Sequence, residues 1–137
     1  MEKHFRLDNT TFERQFKICQ LPSELFTHEA HLRLAWIHIK RYGYDQALIT
    51  VPTQLQNYVS ALGAEEKYNT TLTIAAIKAV YHFMSKAKTT DFAGFIHEFP
   101  ELKYQFKALI QAHYSTDIFN DETAKKTFLA PDRLPFD

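Results

Sequence analysis

The stretch Phe26-Thr27-His28-Glu29-Ala30-His31-Leu32-Arg33-Leu34-Ala35-Trp36 predicts the beginning of a helix with two histidines in its first turn. Thr27 is a suitable N-cap for this helix, and Gly43 is a suitable residue to end it. Because residues three apart lie on one face of a helix, His28 and His31 can point at one spot. That spot is a candidate site for a metal ion, an anion or a small ligand.

A helical wheel of this segment separates a charged side from an apolar side. Glu29, Arg33 and Lys40 cluster on the side predicted to face solvent. The opposite side is predicted to be buried; it carries His28, His31, Leu32, Ala35, His38, Ile39 and Tyr42. An inward histidine needs a hydrogen-bond partner, so each one either satisfies the core or belongs to a site. His38 lies roughly 10 Å farther along the helix axis than His31, at 1.5 Å per residue, and is interpreted as structural.

The remainder of the chain predicts an all-α protein. Three glycines and five prolines fall near the helix ends that the pattern predicts. Further helices are predicted over residues 9–18, 45–62, 69–86, 90–99, 100–113 and 121–129. Pro52 is expected to kink or split the helix that contains it. The predicted architecture is a compact single-domain bundle of about five to seven helices, mostly antiparallel with short loops, over residues 1–137. Its extended C-terminal tail, residues 130–137, is expected to dock on the body through Leu134 and Phe136.

Composition favours a cytoplasmic protein without a nucleic-acid or membrane partner. The formal net charge is zero, whereas a nucleic-acid surface normally has a basic excess. No apolar run approaches the roughly 20 residues that span a bilayer, and residues 1–5 lack the apolar stretch of a signal peptide. The single cysteine, Cys19, cannot form a disulfide framework and is expected to be a small buried residue.

A second polar segment lies at the start of the predicted fourth helix, Tyr68-Asn69-Thr70-Thr71-Leu72-Thr73. In an up-and-down bundle, two short connections make helices two and four parallel, so their N-termini lie at one end. The wheel places Thr73 on the buried side with Thr70 near it, and places Thr71 on the solvent side. The predicted ligand-binding residues are therefore His28, His31, Tyr68, Asn69, Thr70 and Thr73. Two helix N-termini favour an anion there; alternatively, Asn69 and the threonines only cap the helix.

Three segments resemble the motifs of a family of small, uncharacterised bacterial helical proteins. They are residues 26–36, residues 67–73 and the ending Tyr114-Ser115 … Ala130-Pro131-Asp132. In many members the second motif is Tyr-His-Glu-Thr-Ile-Thr, so the resemblance implies a four-ligand metal site of His-x-x-His plus His-Glu. This chain has Asn69 and Thr70 in place of the second pair. With His28 and His31 as the remaining ligands, the resemblance implies weak binding of a divalent metal at best.

Two functions remain open from the sequence. One is a polar site for a small ligand, a metal or an anion at the N-terminal ends of helices two and four, with or without catalysis. The other is a protein-interaction module without catalytic chemistry, whose histidines only satisfy the core. The sequence contains no Gly-rich phosphate loop, Gly-x-Ser-x-Gly, His-Glu-x-x-His or Cys-x-x-Cys motif that would name a reaction.

Overall fold

A computed structural model describes residues 1–136, and within that range every secondary-structure element is helical, which confirms the all-α class. Three 3₁₀ turns lie at Lys3–Arg6, Ser23–Leu25 and Glu65–Lys67. The α-helices are α1 Asn9–Lys17, α2 His28–Tyr42, α3 Tyr44–Ala61, α4 Thr70–Met84, α5 Phe92–Glu98, α6 Glu101–Tyr104, α7 Phe106–Gln111 and α8 Glu122–Lys126. None of the described helices is long and apolar enough to cross a membrane.

The chain divides into two compact units, with the boundary between Tyr68 and Asn69. The first unit contains α1 to α3, and the second contains α4 to α8. The single domain predicted for residues 1–137 stays a prediction.

The helices of the first unit begin and end where their local sequence provides caps. The side chain of Asp8 accepts a hydrogen bond from the Thr11 N–H at 2.7 Å at the start of α1. Thr27 accepts from the Ala30 N–H at 3.2 Å at the start of α2. Gly43, with φ of +91°, ends α2 in a backbone conformation that favours glycine, and α3 begins at the next residue.

Pro52 does not split α3, which is continuous from Tyr44 to Ala61. Proline removes one backbone donor from the helix, but Pro52 itself is buried, and so are Val51 and Leu55 around it. The packing of this buried face therefore keeps the helix continuous where the sequence alone favours an interruption.

The α2 helix is covered on nearly all sides between Leu32 and Ile39, so the predicted solvent exposure of Glu29 and Arg33 is wrong, whereas Lys40 is exposed as predicted. Every residue from Leu32 to Ile39 is buried, and Glu29 and Arg33 are only 5% and 4% exposed. The physical reason is that Arg33 donates hydrogen bonds to the backbone of the N-terminal residues, which cover this side of the helix. The helix wheel assumes that charged residues face water, whereas here they hold another segment of the chain.

Side-chain caps also begin three helices of the second unit. Asn69, Asp91 and Asp121 accept hydrogen bonds from backbone N–H groups three residues later, at the starts of α4, α5 and α8. The helix predicted over residues 100–113 is instead two short helices, because Gln105 leaves the helical backbone with φ of −130°. Neither glycine nor proline marks this interruption in the sequence.

The chain after α8 is held to residues 113–115. Phe136 is buried and its ring stacks on His113 with centroids 4.1 Å apart. The His113 Nδ1–H donates to the Leu134 carbonyl at 2.8 Å, whereas the Leu134 side chain is exposed. The tail predicted over residues 130–137 ends at Asp137, which lies outside the described residues.

Candidate metal centre

Glu2, His4 and Glu29 bring two carboxylates and one imidazole together in the first unit. Their ligand atoms all lie within 4.8 Å of one another. His4 Nε2 is 3.7 Å from Glu2 Oε1 and 3.7 Å from Glu29 Oε2. His4 is fully buried and Glu29 nearly so, while Glu2 is half-buried. The three side chains therefore surround one point from which solvent is largely excluded.

Two segments supply these side chains. Glu2 and His4 belong to the start of the chain, where Lys3–Arg6 forms a 3₁₀ turn, called the N-terminal turn from here on. Glu29 lies in the first turn of α2, where the helix dipole favours a carboxylate. The site thus lies where the N-terminal turn packs on the beginning of α2.

Thr27 fixes Glu2 against the N-terminus of α2. The Thr27 hydroxyl donates a hydrogen bond to Glu2 Oε1, and the Thr27 hydroxyl oxygen accepts the capping bond from the Ala30 N–H. A single N-cap residue therefore both begins α2 and orients a carboxylate of the candidate site.

Arg33 attaches the N-terminal turn to α2. Its guanidinium donates to the carbonyls of His4 and Leu7 at 2.7 and 2.8 Å, and to Asn9 Oδ1 at 2.9 Å. It also lies over the Phe12 ring, 4.7 Å from the centroid. Burial lowers the pKa of Arg33, and the nearby carboxylates oppose that shift, so the guanidinium remains charged.

The Arg33 guanidinium also lies beside the His4 ring. Arg33 Nη1 lies 3.3 Å from His4 Nδ1. Because a guanidinium has donors and no acceptor, Nδ1 must be the acceptor in this contact. A neutral imidazole that accepts this bond has its proton on Nε2, the nitrogen that faces the two carboxylates, whereas a protonated imidazole forms ion pairs with both of them.

The spacing of the three side chains suits a small divalent ion. The separations of 3.7 Å exceed the range of a direct N–H···O hydrogen bond. Two ligands about 2.1 Å from a tetrahedral metal are about 3.4 Å apart, so a closure of a few tenths of an ångström would bring each carboxylate oxygen to ligand spacing from the imidazole nitrogen. Two carboxylates with one imidazole are a donor set for Zn²⁺, Mn²⁺ or Fe²⁺, and three protein ligands leave a position open.

The prediction that His28 and His31 face the core is wrong, because both residues are exposed. The N-terminal residues cover the Glu29 side of the first turn of α2. The His31 Nδ1–H donates to the Thr27 carbonyl at 2.9 Å, and the His31 ring packs on Phe26 with centroids 3.8 Å apart. Although the residue is exposed, desolvation on the packed side of the ring lowers the pKa of His31; the hydrogen bond to Thr27 opposes this shift.

The predicted site residues of α4 make the contacts expected of caps. Asn69 accepts from the Leu72 N–H at 2.9 Å and donates through Nδ2 to the Ile118 carbonyl at 2.8 Å. The Thr73 hydroxyl donates to the Asn69 carbonyl at 2.7 Å, and the Thr70 hydroxyl lies 3.5 Å from the Lys126 carbonyl. Their juxtaposition with His28, His31 and Tyr68 in one site stays a prediction.

Thr71 is fully buried, so its predicted position on the solvent side of α4 is wrong. Its hydroxyl donates to the Thr127 carbonyl and accepts from the Leu129 N–H, both at 2.9 Å. The residues that follow α8 cover this side of α4, and their position depends on contacts between distant parts of the chain.

None of the three members of the candidate metal centre is among the site residues predicted from the sequence. The Glu2-x-His4 pair precedes the first predicted helix, and Glu29 was assigned to solvent. One signal was available: the run from Leu32 to Ile39 is apolar on nearly every face apart from Arg33 and His38, which is typical of a helix buried all round.

Comparison of the chain with family models, curated proteins and solved structures finds no match.

Proposed function

We propose that the protein binds a divalent first-row metal ion through Glu2, His4 and Glu29. The observation that supports this most directly is the pair of carboxylate oxygens, each 3.7 Å from one buried imidazole nitrogen. With three protein ligands, the ion would keep at least one position for water or a small ligand, as catalytic sites do and structural zinc sites do not. The proposal keeps a ligand site at the N-terminal end of α2, where the sequence predicted one, with a different set of residues.

Charge supports a dication over a neutral ligand at this point. Two carboxylates, Glu2 and Glu29, meet at one imidazole there, and a dication is the ligand that such a set of acceptors attracts most strongly. Buried charges are stable when they are paired or coordinate a metal. The imidazole favours Zn²⁺, Mn²⁺ or Fe²⁺ over Mg²⁺ and Ca²⁺, which prefer oxygen ligands alone.

Calorimetric titration of tag-free, chelator-treated protein with Zn²⁺ and Mn²⁺ tests the proposal. Stoichiometric binding is expected for the wild type and should be lost in Glu29→Gln, which keeps the shape of the side chain and removes its charge. Glu13→Gln is the matched control, because Glu13 pairs with Arg41 at 2.8 Å in the same unit. Circular dichroism would establish that each variant is folded.

Two results would contradict the proposal. One is equal metal affinity in the wild type and in Glu29→Gln. The other is binding that His31→Ala abolishes and Glu29→Gln does not affect, which would favour the predicted His28 and His31 site.

A further inference from the structure

We infer that residues 2–6 form a lid over the candidate metal centre, and that an ion enters and leaves when this lid lifts from α2. The inference rests on the proposed function, because it describes how the ion reaches that site. It follows from the burial of the ligands and from the extended backbone that joins the lid to α1.

The closed lid leaves an ion in solvent no direct route to the imidazole. His4 is fully buried, and its Nε2 atom is inaccessible to solvent. Glu29 is only 5% exposed. The Glu2 side chain is 27% exposed, but Glu2 itself belongs to the lid. Because two of the three ligands are covered, the segment that carries Glu2 and His4 has to move before an ion can bind all three.

The backbone between the lid and α1 is suited to act as a hinge. Leu7 and Asp8 are both extended, with ψ of 137° and 169°. The start of α1 does not depend on the lid, because Asp8 caps it through its side chain to the Thr11 N–H and through its carbonyl to the Phe12 N–H. A change in the backbone angles of Leu7 can therefore lift the lid while α1 stays folded.

Arg33 is one of two latches that hold the lid closed. Its guanidinium donates to the carbonyls of His4 and Leu7 at 2.7 and 2.8 Å. It also donates to Asn9 Oδ1, and Asn9 belongs to α1. When the lid lifts, Arg33 therefore loses the two carbonyls but keeps a partner that holds it in place.

Thr27 is the second latch, and it acts on the lid through Glu2. Its hydroxyl donates to Glu2 Oε1, the oxygen that faces His4. A carboxylate oxygen has two lone pairs, so Glu2 can accept this bond and still bind an ion. The latch thus stabilises the closed lid with or without the ion. Weakening it should speed both entry and release of the ion, and should change the affinity much less than either rate.

Thr27→Gly weakens this latch while α2 keeps its beginning, because glycine at an N-cap costs helix stability little. We expect Mn²⁺ to bind and to leave about tenfold faster in this variant, from the loss of one hydrogen bond to a charged acceptor. Stopped-flow mixing with a fluorescent metal indicator measures association, and mixing with excess chelator measures release. Thr27→Ser keeps the hydroxyl and should keep both wild-type rates. Asp91→Gly removes the cap of α5 in the second unit and should also leave both rates unchanged.

The association rate separates a latch from a residue that merely orients Glu2. Faster release without faster association in Thr27→Gly, or no change in either rate, would overturn the inference and leave the metal site standing. If the wild type binds no Mn²⁺ at all, the proposed function fails, and this inference fails with it.

Proteolysis of the wild type tests the lid without any substitution. Arg6 is exposed and lies next to the hinge, so trypsin cleavage after Arg6 follows the population of the lifted lid. Saturating Mn²⁺ should slow this cleavage, because the bound ion favours the closed lid. Cleavage after Lys88, an exposed residue of the second unit, should not change. Bound Mn²⁺ with unchanged cleavage after Arg6 would show that the ion does not hold the lid, and the inference would be wrong.

Discussion

Replacing Thr71 with valine tests the contacts that attach residues 127–129 to α4. Thr71 is fully buried, and its hydroxyl donates to the Thr127 carbonyl and accepts from the Leu129 N–H, both at 2.9 Å. Valine has nearly the same shape without the hydroxyl. The packing is therefore kept, while two backbone groups lose their partner.

The expected loss in the free energy of unfolding is about 2 kcal/mol, from two hydrogen bonds with a net value of about 1 kcal/mol each. The full cost of an unpaired buried group does not apply, because both hydrogen bonds are only part-buried. Thr73→Val is the matched control. The Thr73 hydroxyl donates to the Asn69 carbonyl, which already accepts from the Thr73 N–H at 3.0 Å, so a loss of about 0.5 kcal/mol or less is expected.

Urea denaturation followed by circular dichroism measures both variants under identical conditions. We expect a clearly lower urea midpoint for Thr71→Val and a midpoint near that of the wild type for Thr73→Val. If Thr71→Val loses no more free energy of unfolding than Thr73→Val, the Thr71 hydroxyl does not hold the segment after α8, and the expectation is wrong.

Three further substitutions have expected outcomes. His38 is buried with neither ring nitrogen hydrogen-bonded within residues 1–136, so His38→Leu should raise the free energy of unfolding at pH 7 by about 1 kcal/mol. Burial lowers the pKa of His38, so the cost of burying its ring is constant above the ordinary pKa of 6.5 and grows as the pH falls below that value. Urea midpoints between pH 7 and 5 should therefore fall less in His38→Leu than in the wild type. The control His97→Leu, at an exposed site, should retain the wild-type dependence. Cys19 has φ of +61°, so Cys19→Gly should raise the melting temperature, with a gain of up to about 1 kcal/mol, and a lower melting temperature would contradict this. Asn69→Asp should destabilise by about 1–2 kcal/mol in the same urea assay although aspartate is a good N-cap, because it loses the donor to the Ile118 carbonyl; an unchanged midpoint would show that Asn69 acts as a cap alone.

The features of the fold that depend only on residues close together in the sequence could be predicted from it. The caps at Thr27, Asn69 and Asp91 each accept from an N–H three residues later, so residue type and position are enough to identify them. The end of α2 at Gly43 is equally local, and its positive φ is a property of the residue that stands there.

The candidate site depends on contacts between distant residues, and a helical wheel contains no information about them. Arg33 reaches His4, 29 positions earlier in the chain, and Thr71 reaches Thr127, 56 positions later. A wheel assigns charged or hydroxyl-bearing positions to solvent because water is their usual partner. Here another segment of the chain provides the partners, so Glu29, Arg33 and Thr71 are buried while His28 and His31 are exposed.

Anomalous diffraction from a crystal grown with Mn²⁺ tests the metal site at Glu2, His4 and Glu29, because it locates the ion. We expect one strong anomalous peak about 2.1 Å from His4 Nε2 and at bonding distance from carboxylate oxygens of Glu2 and Glu29. A peak at His28 and His31 instead, or a map without any peak beside His4, would contradict it.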